Sequence, residues 1–346
     1  MKTDEFLRQV TALPGVTGNE RAAAEFIAKA FEPYADEVEI TPLNSVIAHK
    51  KGNGPKVMIC AHLDEIGMMV SKIEKDGSLR LQSVGGVDPR VLPGMRVKVY
   101  GKDEVLMGVV GATPPHLMKE ADRKNNYTFE TLFVDLGLPA CEVEKKVRIG
   151  DNVCFESRYV ELKNGRVSTK TVDDRGCVAI MLRAAQRLQK MHHEADLYFV
   201  ATCQEEIGSY GAMTAGFQLD PDFGVAFDVC HAETPGAPRM YTSKIDSLVT
   251  SKGPFLHPYL VKKLEEAAKE NNVQLQVSID PRWTSTDADD LSLVRNGVPT
   301  VLLSLPLKYM HTNVETFDMH ALEEGGRLLA HYLSAMDASW EEELWN

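Results

Sequence analysis

Apolar residues follow two different patterns along the chain. In the parts of the chain before and after its middle segment, short and mostly apolar runs alternate with longer stretches whose apolar residues recur at helical spacing. The runs at residues 57–61, 197–203, 225–229 and 298–303 predict strands that are buried on both faces. The stretches at residues 20–31, 174–189, 258–271 and 319–336 predict helices. This alternation predicts an α/β fold, in which helices cover both faces of a mostly parallel sheet.

The middle of the chain has a different character. Between about residues 68 and 162, short alternating runs such as 97–100 and 106–110 are interrupted by turn residues, for example Gly85-Gly86 and Pro114-Pro115. Many short strands separated by turns are typical of a small barrel or sandwich. We therefore predict an inserted small all-β domain at 68–162, with residues 1–67 and 163–346 forming the two parts of the main domain.

Charge and cysteine content limit the binding partners and the cellular compartment that we expect for the protein. The 38 Lys and Arg residues against 50 Asp and Glu residues give a net charge of −12, which argues against a nucleic-acid or anionic-membrane partner. The sequence contains no apolar run of the roughly 18 residues that a membrane-spanning helix needs. The six cysteines are scattered without a C-x-x-C pair, and the first residues include acids rather than the apolar stretch of a signal peptide. We expect a cytoplasmic protein with reduced thiols.

Side chains that can bind metal ions stand where the apolar runs end. They are His62 and Asp64 after the first run, Asp173 and Asp174 after residues 168–172, Glu205 and Glu206 after the second run, Asp228 at the end of the third, and His311 in the loop beyond the fourth. Ligands of open α/β sheets gather at the carboxyl ends of the strands, so these side chains are expected at one edge.

Taken singly, each of these features has an ordinary structural explanation, because paired acids are common at the starts of helices. The combination of these features at one edge of the sheet lacks such an ordinary explanation. Carboxylates packed at one sheet edge repel each other, at a cost of several kcal/mol, unless a cation neutralises them. Imidazole and carboxylate are the ligands of Zn²⁺ and similar divalent ions. The combination therefore predicts a metal site.

The motifs at these positions resemble those of a known family. They are His62-Leu63-Asp64-Glu65-Ile66-Gly67, Asp173-Asp174-Arg175, Gln204-Glu205-Glu206-Ile207-Gly208 and Tyr309-Met310-His311-Thr312, together with residues 111–117 and Thr286-Asp287-Ala288. In order and spacing they look like the motifs of the M42 metallo-aminopeptidases, which include glutamyl and deblocking aminopeptidases and the tetrahedral TET peptidases. The resemblance covers nearly the whole chain.

The resemblance implies a site for two divalent metal ions, Zn²⁺ or Co²⁺. Asp173 would bridge the two ions, His62 and Asp228 would complete the first, and Glu206 and His311 would complete the second. A bridging carboxylate can hold two cations roughly 3.5–4 Å apart. From the residues alone, either Asp173 or Asp174 could be the bridge.

Two further residues receive roles from the resemblance. Glu205 would be the general base that takes a proton from a metal-bound water, and Asp64 would hold the far ring nitrogen of His62. The reaction implied is hydrolysis of the N-terminal peptide bond of short peptides. The family's inserted domain mediates dimerisation, so the resemblance also implies a homo-oligomer, with dimers assembling into a tetrahedral dodecamer.

Several alternatives stay open at this point. A two-metal amidohydrolase that acts on N-acylated amino acids could use the same ligands, and a protein with a purely structural metal site is also possible. Residues 208–211 lack the G-x-S-x-G pattern of serine hydrolases, and the adjacent Glu205 and Glu206 suit a glycosidase poorly. Cys230 and His231 could bind metal, although a structural or substrate-side role for His231 is favoured. His116 is expected in a loop or interface.

Overall fold

The computed structural model describes residues 1–121 and 124–344. The strands are β1 (Glu37–Ile40), β2 (Val46–Lys50), β3 (Lys56–His62), β4 (Gly67–Ile73), β5 (Leu79–Val84), β6 (Arg96–Tyr100), β7 (Val105–Ala112), β8 (Leu132–Asp135), β9 (Asn152–Phe155), β10 (Val160–Glu161), β11 (Arg166–Thr169), β12 (Asp196–Thr202), β13 (Phe223–His231), β14 (Leu248–Lys252), β15 (Leu275–Ile279), β16 (Thr300–Lys308) and β17 (Glu315–Asp318). The helices are α1 (Thr3–Val10), α2 (Arg21–Phe31), α3 (Ala140–Lys146), α4 (Val172–Leu188), α5 (Tyr210–Leu219), α6 (Pro258–Glu270), α7 (Asp287–Leu291), α8 (Met319–Ser334) and α9 (Ser339–Glu343).

The larger sheet is mixed, with a parallel centre. Its strands lie in the order β1-β2-β12-β3-β13-β16-β17-β11-β10, and β14 and β15 branch from β16. Strands β12, β3, β13 and β16 run parallel to one another. The flanking pairs β2–β12, β16–β17 and β14–β16 are antiparallel. The prediction of a mostly parallel sheet was therefore wrong for the flanks, where short strands that carry no strong apolar run add to the edges.

Buried apolar runs form the centre of this sheet. Residues 57–61 of β3 are fully buried, as expected for a strand covered on both sides. Helix α4 packs on β3 and is itself contacted by α1 and α8, while α5 and α7 pack against each other and also contact β3. Helices α4 and α8 approach closely because Gly326 has no side chain, and a Cβ there would lie 2.4 Å from the Cβ of Arg183.

The middle segment contains a small closed barrel. Its strands follow the order β4-β5-β8-β7-β6-β9, and they enclose an apolar core separate from that of the main sheet. The segment is not all-β as predicted, because helix α3 lies between β8 and β9 and contributes the buried Val143 to the barrel core. Within the described residues, no helix is both long enough and apolar enough to cross a membrane.

Candidate metal centre

The parallel strands and the start of α4 bring the first group of ligands together. His62 is the last residue of β3, and Asp228 lies in β13, the neighbouring strand. Asp173 and Asp174 stand at the start of α4, where their backbone angles are not yet helical. One possible ligand atom from each of His62, Asp174 and Asp228 lies within 4.8 Å of the others.

Loops supply the second group. Glu206 lies in a single 3₁₀ turn that follows β12, and His311 lies in the connection between β16 and β17. The Nε2 atom of His311 is 3.2 Å from Oδ2 of Asp173 and 3.5 Å from Oε1 of Glu206. His62, Asp173 and Glu206 also offer ligand atoms that lie within 4.8 Å of one another.

Asp173 stands between the two groups. Its Oδ1 atom is 3.0 Å from Nε2 of His62, while its Oδ2 atom faces His311. One carboxylate thus presents an oxygen to each histidine, which is the geometry that a bridging ligand needs. Asp174 lies with His62 and Asp228 instead. The structure therefore brings together all five residues expected as ligands and adds Asp174 to the first group.

Asp64 organises the first group from behind. It is fully buried, and its Oδ1 atom lies 3.4 Å from Nδ1 of His62. The same carboxylate accepts hydrogen bonds from the hydroxyl of Thr17 (2.7 Å) and from the backbone N–H groups of Glu205 (3.1 Å) and Glu206 (3.3 Å). Asp64 therefore links the imidazole of His62 to the turn that carries both glutamates.

The cluster contains several buried carboxyl groups whose negative charges repel one another. Burial raises the pKa of Glu205 to about 10 and that of Glu206 to about 8, and nearby carboxylates add to both shifts. Burial also raises the pKa of Asp228 well above its ordinary value. Burial opposes the charged form of His311, but the hydrogen bond with Asp173 and the nearby charges of Glu206, Asp173 and Glu315 together outweigh it and raise the histidine pKa to about 9.

This donor set fits divalent cations. The buried oxygens and ring nitrogens are the atoms that Zn²⁺ and similar ions prefer. Oδ1 of Asp174 is buried and has no hydrogen-bond partner among the described residues. A buried carboxylate oxygen without a donor is costly, and a cation would satisfy it.

Glu315, which the sequence analysis did not single out, supports the centre from below. It is the first residue of β17 and is 2% exposed. Its Oε2 atom accepts from the N–H groups of Val172 (2.7 Å) and Asp173 (3.2 Å), and its Oε1 atom accepts from the N–H of His311 (3.0 Å). The glutamate four residues after His311 could have been noticed in the sequence, but its partner at residue 172 could not.

Another pair of buried charges borders the centre. Lys170 forms an ion pair with Glu65, and both side chains are almost completely buried. Arg175, at the start of α4, donates to the carbonyl oxygens of Leu63 (2.8 Å) and Val10 (2.6 Å). These contacts fix the segment after β3 against the start of α4, and thereby fix His62 relative to Asp173.

The centre opens into a large cleft. A cavity of about 1350 Å³ is lined by the cluster and by residues of β13 to β16, including Cys230 and His231. His116 lies on an exposed 3₁₀ turn that follows β7 in the barrel segment. Thr286 caps α7 by accepting from the N–H of Ala288, and Asp287 accepts from the hydroxyl of Thr202 (2.5 Å).

Comparison with known proteins identifies the family. The family model described as M42 glutamyl aminopeptidase matches residues 44–328. The chain belongs to the M42 family of aminopeptidases. It is 38% identical to the lysyl aminopeptidase of Pyrococcus furiosus, over 96% of this chain and 98% of that relative.

Solved structures of TET peptidases share the fold. The TET aminopeptidase from a marine sediment thaumarchaeon has a TM-score of 0.94 at 29% identity and covers 99% of this chain and 98% of its own. The TET1 peptidase of Pyrococcus horikoshii has a TM-score of 0.84 at 27% identity and covers 97% of this chain and 100% of its own; that protein can assemble into a tetrahedron or a large octahedral shell. The resemblance stated from the motifs is confirmed, and the M42 protein described here is a hydrolase of the aminopeptidase type.

Proposed function

We propose that the protein is a di-metal aminopeptidase that hydrolyses the N-terminal peptide bond of short peptides. The observation that carries this proposal is Asp173, whose two oxygens face His62 and His311 at 3.0 and 3.2 Å. His62 and Asp228 would hold one Zn²⁺ or Co²⁺ ion, and Glu206 and His311 would hold the other. When bound, such ions polarise a carbonyl and lower the pKa of water.

Glu205 is the general base in this proposal. Its Oε2 atom lies 3.9 Å from Nε2 of His62, and its side chain is 12% exposed at the edge of the cleft. Glu205 belongs to neither of the two groups of possible ligands described above, whereas its neighbour Glu206 belongs to one of them. A carboxylate in that position takes a proton from the attacking water and passes it to the amine that leaves. Asp64 keeps His62 in the tautomer whose Nε2 faces the ions.

The test separates this function from the amidohydrolase alternative. Purified protein is incubated with Zn²⁺ or Co²⁺ and with matched peptides whose N-termini are free or acetylated. We expect release of the first residue from free peptides only, and loss of that activity with a chelator. Hydrolysis of acylated substrates alone would favour the amidohydrolase, and no hydrolysis of either with bound metal would contradict both enzymatic proposals.

The cleft also favours a basic first residue. Asp280 lines it, and among the described residues its carboxylate accepts a hydrogen bond from the hydroxyl of Ser278 alone (3.2 Å). Burial raises the pKa of the Cys230 thiol to about 12, with the charges of Asp228 and Asp280 adding to the shift. Asp280 thus lines the same cleft as Cys230 and the proposed ligand Asp228, whereas the side chain of Arg239, which also lines this cleft, is exposed. Lysine is also the residue in the name of the Pyrococcus furiosus relative.

The barrel segment is the proposed dimerisation domain. On β7, Val105, Met107 and Val109 alternate with inward-facing residues and are 51, 48 and 47% exposed. A row of exposed apolar side chains on a strand suits an interface with a second copy. We extend this to the tetrahedral dodecamer because the TET1 peptidase of Pyrococcus horikoshii forms a tetrahedron. A native mass measurement tests the extension, and a monomer would contradict it.

A further inference from the structure

A turn of the barrel segment reaches into the candidate metal centre. Gly85 and Gly86 follow β5, and the carbonyl oxygen of Gly86 lies 3.1 Å from Nδ1 of His311. A carbonyl oxygen can only accept, so this contact requires a proton on Nδ1. With Nδ1 protonated, Nε2 is the ring nitrogen left to bind a cation, and it lies 3.2 Å from Oδ2 of Asp173 and 3.5 Å from Oε1 of Glu206.

The same turn packs closely against the side chains of Glu206 and His311. A Cβ atom at Gly86 would lie 2.8 Å from Nδ1 and 2.9 Å from Cε1 of His311. A Cβ atom at Gly85 would lie 3.3 Å from Cβ of Glu206 and 2.8 Å from Cγ2 of Ile66, and Gly85 has a φ of +74°. Each glycine therefore touches one of the two side chains proposed to hold the second ion.

We propose that the Gly85-Gly86 turn is a positioning element that sets the tautomer and the ring orientation of His311. The inference deepens the proposed function, on which it rests. We call the residues proposed to hold one of the two ions a half-site, and the inference assigns part of one half-site to the inserted segment. Histidine ligands need their second nitrogen fixed by a carboxylate or a carbonyl, and removing that partner commonly weakens metal binding 10–100-fold. Here the partner comes from a position 225 residues earlier in the chain.

The proposal gives the barrel a second task. The main sheet supplies His62 and Asp228, and residues of the main domain supply Glu206 and His311, yet the orientation of His311 depends on the barrel. A shift of the barrel against the main sheet would move the carbonyl of Gly86 away from the ring. Contacts that hold the barrel in place would therefore act on the affinity for one of the two ions.

The test is the substitution Gly86→Ala, with Co²⁺ as the probe. Gly86 is not among the residues with positive φ, so alanine adds a steric contact to His311 without backbone strain. We expect the second Co²⁺ equivalent to bind at least tenfold more weakly by calorimetry, and its visible absorption spectrum to change, while the first equivalent binds as in the wild-type protein. Gly137→Ala is the matched control in the barrel, because Gly137 has a φ of +69° and a Cβ there would meet nothing within 4 Å. That variant should lower the melting temperature and leave both Co²⁺ equivalents unchanged.

A double substitution shows whether the effect passes through His311. In a His311→Ala background, Gly86→Ala should have no further effect on Co²⁺ affinity or stability, since the ring that it would strike is gone. Should Gly86→Ala alone fail to fold, folding of the double variant would support the clash with the ring, whereas failure of both would overturn the proposal. Unchanged binding of the second ion by Gly86→Ala would also overturn it.

The outcome is separable from that of the proposed function. If the wild-type chain binds two Co²⁺ ions and cleaves free peptides, the function stands whatever Gly86→Ala does. If the wild-type chain binds no second ion, the proposed function fails before the variant is considered.

Discussion

The two histidines of the proposed metal centre are held in different ways. His62 is 2% exposed, ends a buried strand, and lies beside Asp64, a carboxylate only two residues away in the chain. His311 has a side chain that is 32% exposed, lies in a loop, and is held by a backbone carbonyl of the barrel and by the buried Glu315. One half-site is built into the core of the sheet, and the other is assembled where separate parts of the chain meet.

This difference predicts which part of the proposed centre is more sensitive to substitutions of neighbouring residues. Around His62, disturbance requires repacking of a sheet core, which is close-packed and resists small shifts. Around His311, the supporting groups come from Gly86 and Glu315, and neither belongs to the strand that precedes the loop. We therefore expect substitutions outside the ligands to affect the His311 half-site more than the His62 half-site.

The largest effect is expected on the buried side, from Glu205→Gln. The amide cannot take a proton from water, so kcat should fall by about 10²–10⁴-fold, the usual contribution of a general base. Because Glu205 is proposed as a base and not as a ligand, both ions should still bind. Steady-state kinetics and elemental analysis of the same preparation check this. Near-normal turnover would contradict the assignment, and loss of metal would make Glu205 a ligand.

A smaller effect, confined to the other side, is expected from Glu315→Gln. One oxygen becomes an N–H₂ group that cannot accept the backbone N–H groups, so the free energy of unfolding should fall by about 1–3 kcal/mol. The second Co²⁺ equivalent should bind more weakly and the first should change little. Calorimetric titration and thermal unfolding measure both quantities.

Asp318→Ala is the matched control for Glu315→Gln. Asp318 ends the same strand and caps α8 by accepting from the N–H groups of His320 (2.9 Å) and Ala321 (3.3 Å). It should cost stability without altering Co²⁺ binding. Equal effects of both variants on the metal would mean that Glu315 acts through general stability alone.

The smallest effect concerns the cleft that both half-sites face. Asp280→Asn should lower kcat/KM for a lysyl substrate by about fivefold relative to a leucyl substrate, since a partly solvated charge pair contributes roughly 1 kcal/mol. Asp103→Asn, on the exposed surface of the barrel segment, changes the net charge equally and should leave the ratio unchanged. A lysyl-to-leucyl ratio that does not respond to Asp280→Asn would remove this residue from the preference.

The sequence indicated the surroundings of His62 better than the surroundings of His311. His62, Asp173 and Glu205 stand beside apolar runs or helical spacing, so local pattern alone places them at strand ends or a helix start, whereas Asp228, expected at a strand end, lies inside β13. The contact between Gly86 and His311 joins a backbone atom to a ring 225 residues away, and a backbone carbonyl leaves no trace in side-chain identity. Only the packing of the barrel against the main sheet creates it.

The fold shows the same division. The parallel centre of the sheet follows from strong apolar runs such as residues 57–61. The antiparallel flanks use short strands such as β10 (Val160–Glu161), whose two residues are both exposed, so tertiary pairing rather than periodicity decides them. Helix α3 was missed because its seven residues are too few to display a clear helical pattern.

Anomalous diffraction from crystals grown with Co²⁺ tests the central claim most directly. The account predicts two peaks about 3.5–4 Å apart, one on each oxygen of Asp173, with His62 and Asp228 around the first and Glu206 and His311 around the second. A single peak, or two peaks that Asp173 does not join, would contradict it.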